Sequence, residues 1–195
     1  ISEMRDTDIS KIKYSEKCKI KKPSNIDNIS FMAMMQLHSK LGSADLDNMS
    51  NSISEIIAIA CYSENIEGDY ASSSKLYKDF KEEILKSPLY DMMGLFNLIC
   101  QSTKDSQKMW KKRFMSVEVP NPDLKEAGIH RMNQFNVLNT IKTICSDFNC
   151  TDKAAWQKSY ALTQTNSYSK ATYDHVHENL RKETKMKMNR GRSTS

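Results

Sequence analysis

Residues 56–61 read IIAIAC, the most continuous apolar run in the chain. This run ends a longer segment in which apolar residues recur at helical spacing, and ENIEGDY at residues 64–70 breaks the pattern. A helix with such a broad apolar face must bury that face against other elements. We therefore predict a helix that begins near Ser43 or Asp45 and whose C-terminal half lies at the centre of the core.

Other segments also show helical spacing. Apolar side chains recur at steps of three and four in residues 26–41, 88–100 and 129–145, while residues 76–85 form a half-solvated helix. Gly94 predicts a close approach between two helices. The chain has only five glycines and four prolines, which disfavours a sandwich or barrel with many tight turns. We predict an all-α fold, an irregular bundle of about five to seven helices.

The two ends of the chain differ from its middle. A length of 195 residues suits one domain, and an apolar fraction of 38% is low for a chain that is packed throughout. Pro23 ends the first segment, because proline lacks a backbone N–H and disfavours helical geometry before it. We predict an extended lysine-rich arm over residues 1–23, a helical domain over residues 24–180 and a basic tail over residues 181–195.

The first arm alternates in character. Residues 11–22 read KIKYSEKCKIKK, so an extended chain places lysines on one side and apolar residues on the other. A lone strand is not stable, and we expect this arm to pair with another strand, by addition to the sheet edge of a neighbouring protein. In a second interpretation, the lysines protect an exposed strand edge from aggregation. The arm residues predicted to bind a partner are Lys11, Ile12, Lys13, Tyr14, Lys17, Lys19, Ile20 and Lys21.

The tail carries the net charge of the chain. Residues 181–195, RKETKMKMNRGRSTS, hold six basic residues and one acidic residue, and this charge of +5 equals the formal net charge of the whole protein. Such a composition predicts a segment that becomes ordered only on a partner. The tail residues predicted to bind that partner are Arg181, Lys182, Lys185, Lys187, Arg190 and Arg192.

Residues with catalytic or metal-binding chemistry do not occur at the spacings that such sites need. His175 and His177 are two positions apart and point in nearly opposite directions on a helix, so they do not clasp one ion. Cys145 and Cys150 lack a second cysteine pair that would complete four ligands. No glycine-rich phosphate loop or nucleophile elbow is present. We predict a protein that is not an enzyme, with no catalytic residues, no metal and no cofactor.

Three features of the chain point to a family. They are DMMGLFNLIC at residues 91–100, the pair Trp110 and Phe114, and SYSKATYDHVHENLRKETKMKMNR at residues 167–190. Together they resemble helical tail or baseplate proteins of large tailed bacteriophages, including their assembly factors. The resemblance implies a structural or assembly role beside other protein subunits, in the virion or in the host cytoplasm, and it implies no catalytic residues.

We therefore expect a non-enzymatic subunit that forms an oligomer or hetero-complex through its basic ends. No apolar run is long enough to span a membrane, and outside a phage we expect a cytoplasmic location. The alternative is a nucleic-acid-binding protein that uses the lysines and the tail on phosphates. Tyr160, Tyr168 and Tyr173 are candidates to stack with bases, but their spacings do not form one stripe and favour an interface or part of the core.

Overall fold

The computed structural model describes residues 12–16, 18–43, 49–116 and 136–192, with side chains in the last helix given as far as Met186. These residues form seven α-helices and no strand, so the predicted all-α class is confirmed for this part of the chain. A short 3-10 helix, Ile26–Asn28, precedes them. The helices are α1 (Phe31–Gly42), α2 (Met49–Asn65), α3 (Lys75–Leu85), α4 (Leu89–Met115), α5 (Asn136–Phe148), α6 (Asp152–Gln157) and α7 (Tyr160–Arg192).

Helix α2 lies at the centre of the core, as the apolar run at residues 56–61 predicts. Every side chain of that run is buried, and α2 packs against α1, α3 and α4. Tyr62 continues the buried face and contacts the rings of Tyr70, Tyr77 and Phe80, with centroids 5.5–6.5 Å apart. The core therefore surrounds one helix, because the C-terminal half of α2 is apolar on nearly all sides.

Polar side chains set the starts of several helices. Ser30 Oγ accepts from the backbone N–H of Ala33 at the start of α1, and Ser74 Oγ accepts from the backbone N–H of Tyr77 at the start of α3. These caps satisfy backbone donors that have no partner within the helix. Of the two predicted starts of α2, Ser43 is instead the C-cap of α1, and Asp45 lies outside the described residues, as do the apolar positions of residues 129–135.

A short backbone bridge joins the starts of the first and last helices. The N–H of Phe31 donates to the carbonyl oxygen of Lys158 at 2.7 Å, and the N–H of Tyr160 donates to that of Ile29 at 2.8 Å. The Phe31 ring also lies 5.6 Å from that of Trp156, centroid to centroid. The bridge fixes where α7 leaves the body.

The last helix extends beyond residue 180, where we predict the helical domain to end. We expected residues 181–195 to form a separate tail, but α7 runs without a break from Tyr160 to Arg192. The reason is local: residues 160–190 contain no glycine or proline, and residues 181–188 are mostly Lys, Arg, Glu and Met, which favour helix. The basic residues therefore extend a helix that starts in the body.

The first arm is extended, but the described part of it forms no strand and lies on its own helices. Ile12 is 4% exposed and Ile20 is 3% exposed, and both belong to the core. These two side chains are therefore not on the surface of this structure, and their predicted binding to a partner stays a prediction. Burial within the same chain satisfies the apolar side of the arm without a neighbouring sheet.

Candidate interaction surfaces

The arm crosses α4 at a residue without a side chain. A Cβ atom on Gly94 would lie 2.6 Å from the carbonyl oxygen of Lys13 and 3.1 Å from the Cα atom of Tyr14. One turn further along α4, Asn97 Nδ2 donates to the carbonyl oxygen of Ile12 at 3.1 Å. The close approach predicted at Gly94 therefore exists, but the neighbour is the extended arm and not a second helix.

A second anchor holds the arm at the end of α2. Asn65 Oδ1 accepts from the backbone N–H of Lys21, and Asn65 Nδ2 donates to the carbonyl oxygen of Lys21, both at 3.0 Å. Glu64 Oε1 accepts from the hydroxyl of Ser24 at 2.7 Å and from its backbone N–H at 3.0 Å. These bonds from Ser24 hold the pKa of Glu64 below its usual value.

The two sides of the arm have different environments. Cys18 is buried together with Ile12 and Ile20, and Tyr14 is half-buried. Lys13, Lys19 and Lys21 are exposed, as is Lys22, whose Nζ atom lies 5.4 Å from the centre of the Tyr14 ring. Lys11 and Lys17 lie outside the described residues. The alternation in the sequence therefore corresponds to an inner apolar side and an outer cationic side.

One side of α7 faces the body. Tyr160 and Thr163 are buried, and Ser167 and Ala171 are half-buried. These positions are three or four residues apart, so they share one side of the helix. Contacts beside them include an edge-on arrangement of the Phe114 and Tyr168 rings, 6.0 Å between centroids, and a bond from Asn166 Nδ2 to Asp147 Oδ2 of 2.7 Å.

The opposite side of α7 carries exposed apolar residues. Three whole turns separate the first two of these residues, and steps of three and four residues follow, so all four lie on one side of the helix: Leu162, Tyr173, Val176 and Leu180. Tyr173 is 63% exposed and Leu180 is 53% exposed. The imidazole of His177 lies against the Tyr173 ring at an interplanar angle of 49°, with 4.1 Å between ring centroids. We call Leu162, Tyr173, Val176 and Leu180 the outer stripe of α7.

Basic residues follow the outer stripe towards the C-terminus. Arg181, Lys182 and Lys185 are exposed, and Lys182 Nζ lies 3.9 Å from Glu178 Oε1, one turn earlier. The side chains of Lys187, Arg190 and Arg192 lie outside the described residues. The described end of α7 thus combines exposed apolar and exposed cationic groups.

The three tyrosines considered for base stacking have separate environments. Tyr160 is buried, Tyr168 is half-buried and Tyr173 is exposed. Burial, and then the negative charge of Asp27, raise the pKa of Tyr160 to about 12. These rings do not form one stacking surface.

One buried polar pair is not predicted by the sequence. Asp27 in the 3-10 helix is 7% exposed and accepts a hydrogen bond from the hydroxyl of Ser106 in α4. Thr103, one turn before Ser106, is also buried. An acidic residue close after a capping residue such as Asn25 is usually solvated, so the sequence around Asp27 does not indicate burial. The signal that remains is the helical spacing of Thr103, Ser106 and Trp110, which places these residues on one side of α4.

Groups for metal chemistry do not gather in the described part of the chain. No set of three or more His, Cys, Asp or Glu side chains there is close enough to hold an ion. None of the described helices combines the length and apolarity needed to cross a membrane. Compared with known proteins, the chain matches no protein-family model, no curated protein and no solved structure.

Proposed function

We propose that this protein is a non-enzymatic structural or assembly subunit that docks on another protein of a large complex through the outer stripe of α7. The observation that carries the proposal is the placement of this stripe. Tyr173, Val176 and Leu180 are exposed on the side of α7 opposite to the one that carries the buried residues Tyr160 and Thr163. A helix with apolar residues on such an outward face suits the groove of a partner.

The charge around the stripe indicates the kind of partner. Arg181, Lys182 and Lys185 are exposed beside its C-terminal end. The outer side of the arm adds Lys13 and Lys19. Complementary charge steers association and fixes the orientation of the partners. The partner is therefore a protein with an apolar groove whose rim is acidic.

The sequence resemblance supports the setting of this role. The segment over residues 167–190, which resembles tail and baseplate proteins of large tailed bacteriophages, includes three of the four residues of the outer stripe. In that setting, the partners are other subunits of a phage tail or baseplate, and the protein acts in the virion or in the host cytoplasm during assembly.

A matched pair of variants tests the proposal. Leu180 in the stripe and Leu76 in α3 are 53% and 54% exposed, so Leu180→Asp and Leu76→Asp change the same side chain at equal exposure. Both variants should keep the helicity and melting temperature of the wild type. In lysates of cells that make the protein naturally, Leu180→Asp should weaken co-sedimentation with the large complex about tenfold or more, because burial of an unpaired charge costs several kcal/mol. Leu76→Asp should have no effect.

Two results would contradict the proposal. One is equal sedimentation of the two variants with the complex. The other is loss of the complex after nuclease treatment, together with binding to nucleic acid in a mobility-shift assay that weakens steeply between two salt concentrations. That second result would establish the nucleic-acid alternative, in which the exposed lysines of the arm and α7 contact phosphates.

A further inference from the structure

Helix α5 ends in a turn that brings two cysteines together. Asn149, directly after the helix, has a left-handed backbone with φ 45°. The backbone N–H of Cys150 donates to the carbonyl oxygen of Cys145 at 3.1 Å. This is the Schellman arrangement, in which the second residue beyond a helix closes a ring with a residue in its last turn, and side chains near these positions commonly contact each other.

The geometry of this turn suits a disulfide. A backbone hydrogen bond of that length keeps the two Cα atoms within about 7 Å, close to the range of about 4.4–6.8 Å that disulfides require. Cys145 and Cys150 are both free and half-buried, so small reagents have access to them, whereas Cys18 and Cys61 are buried. The Cys145 thiol also donates to Asp152 Oδ1 at 3.3 Å.

We propose that Cys145 and Cys150 form a redox-active dithiol that is oxidised by low-molecular-weight disulfides. One cysteine thiolate attacks a sulfur atom of the small disulfide, forms a mixed disulfide and releases one small thiol. The second cysteine then loses its proton, attacks the protein sulfur of the mixed disulfide and releases the second small thiol. Two protein thiols are thereby oxidised to one disulfide, and the small disulfide is reduced to two thiols that carry the two protons.

Asp152 controls this reaction as a positioning residue. Burial, the hydrogen bond to Asp152 and the charge of its carboxylate, together with the neighbouring Cys150 thiol, raise the pKa of Cys145 to about 11. The thiolate is the reactive form, so this environment slows oxidation at neutral pH. In Asp152→Asn the charge is absent, and the rate of oxidation should rise several-fold at neutral pH and begin to increase at a lower pH.

The test treats the full chain with oxidised glutathione. Trypsin should release residues 143–153, which contain both cysteines, and the mass of this peptide should be lower by two hydrogen atoms until a reductant is added. Cys145→Ser and Cys150→Ser should each keep a stable mixed disulfide with glutathione. Cys100→Ser is the matched control, because Cys100 is also half-buried but lies in α4. In this variant, the peptide of residues 143–153 should still be oxidised.

Three results of this experiment would contradict the proposal. The proposal is wrong if the peptide keeps two free thiols or ends with a persistent mixed disulfide, or if the only disulfides join separate chains. The inference does not depend on the docking function, since the readout is a mass change in the isolated protein.

Discussion

At the scale of single residues, Gly94 has no room for a side chain where the arm contacts α4. Its missing side chain leaves room for the backbone of Lys13, whose carbonyl oxygen lies 2.6 Å from the position of a Cβ atom. The contact is with backbone atoms, which move less easily than the end of a flexible side chain. The sequence predicts the close approach, because a glycine inside an apolar helix usually has a packing role. It does not identify the neighbour.

Gly94→Ala should destabilise the protein. Alanine favours a helix by up to about 1 kcal/mol relative to glycine, but forcing an atom into a filled site typically costs about 1–3 kcal/mol. The expected net loss is about 1–2 kcal/mol, or roughly 2–8 °C in melting temperature. Thermal unfolding followed by circular dichroism measures this change.

Gly42→Ala is the control for this prediction. Gly42 ends α1, and no atom lies within 4 Å of the point that a Cβ atom there would occupy. Alanine at this position should therefore leave the melting temperature equal or slightly higher. A Gly94→Ala variant as stable as Gly42→Ala would show that the arm does not rest on α4 as described.

At the scale of elements, the arm shows what a pattern of alternating residues predicts. Alternation over residues 11–22 indicates that one side is covered, and Ile12 and Ile20 are indeed buried. It does not indicate which element covers that side, since a period of two is the same for a strand in a sheet and for an extended chain on helices. Asn65 and Glu64, which anchor the arm, follow it by about 40 residues in the sequence, so no local pattern predicts these contacts.

Glu64→Gln should make the stability contributed by this anchor independent of pH. The pKa of Glu64 is lowered in the folded protein by its bonds from Ser24, so the charged form stabilises the fold above the unfolded pKa of about 4.3. This contribution is lost as the pH falls through the folded pKa. Because the carboxylate lies near the surface, the variant should melt only about 1–3 °C below the wild type at pH 7, and this difference should become smaller at pH 3.

Glu67→Gln, on the exposed loop after α2, is the matched control for the anchor. It should melt as the wild type does at both pH values. A difference between Glu64→Gln and the wild type that is as large at pH 3 as at pH 7 would argue against a role for the Glu64 charge in holding the arm.

Helix α7 differs from what its sequence predicts in another way. The low apolar content of residues 181–195 predicts a tail that needs a partner to become ordered, but residues 181–188 are mostly strong helix formers and α7 extends to Arg192. Tyr173, Val176 and Leu180 are three and four residues apart, a spacing that is typical of one side of a helix. Whether that side faces inward depends on the bridge between Ser30 and Ser159, which sets the direction of α7 and cannot be inferred from local spacing.

At the scale of the whole molecule, the protein buries one apolar surface and exposes another. The core around α2 covers the apolar side of the arm, so the described part of the arm, residues 12–16 and 18–22, belongs to the body. The outer stripe of α7 faces away from that body and is followed by basic residues. In our account, this division makes the body a support and α7 the element that reaches a neighbouring subunit.

Photo-crosslinking from the outer stripe tests this central claim most directly. A photoreactive amino acid replaces Leu180 in one variant and the equally exposed Leu76 in another, and both are irradiated within the large complex after it has been isolated by sedimentation. We predict that position 180 forms a covalent link to one partner protein and that position 76 does not. Equal linking from both positions, or linking from position 76 alone, would contradict the account.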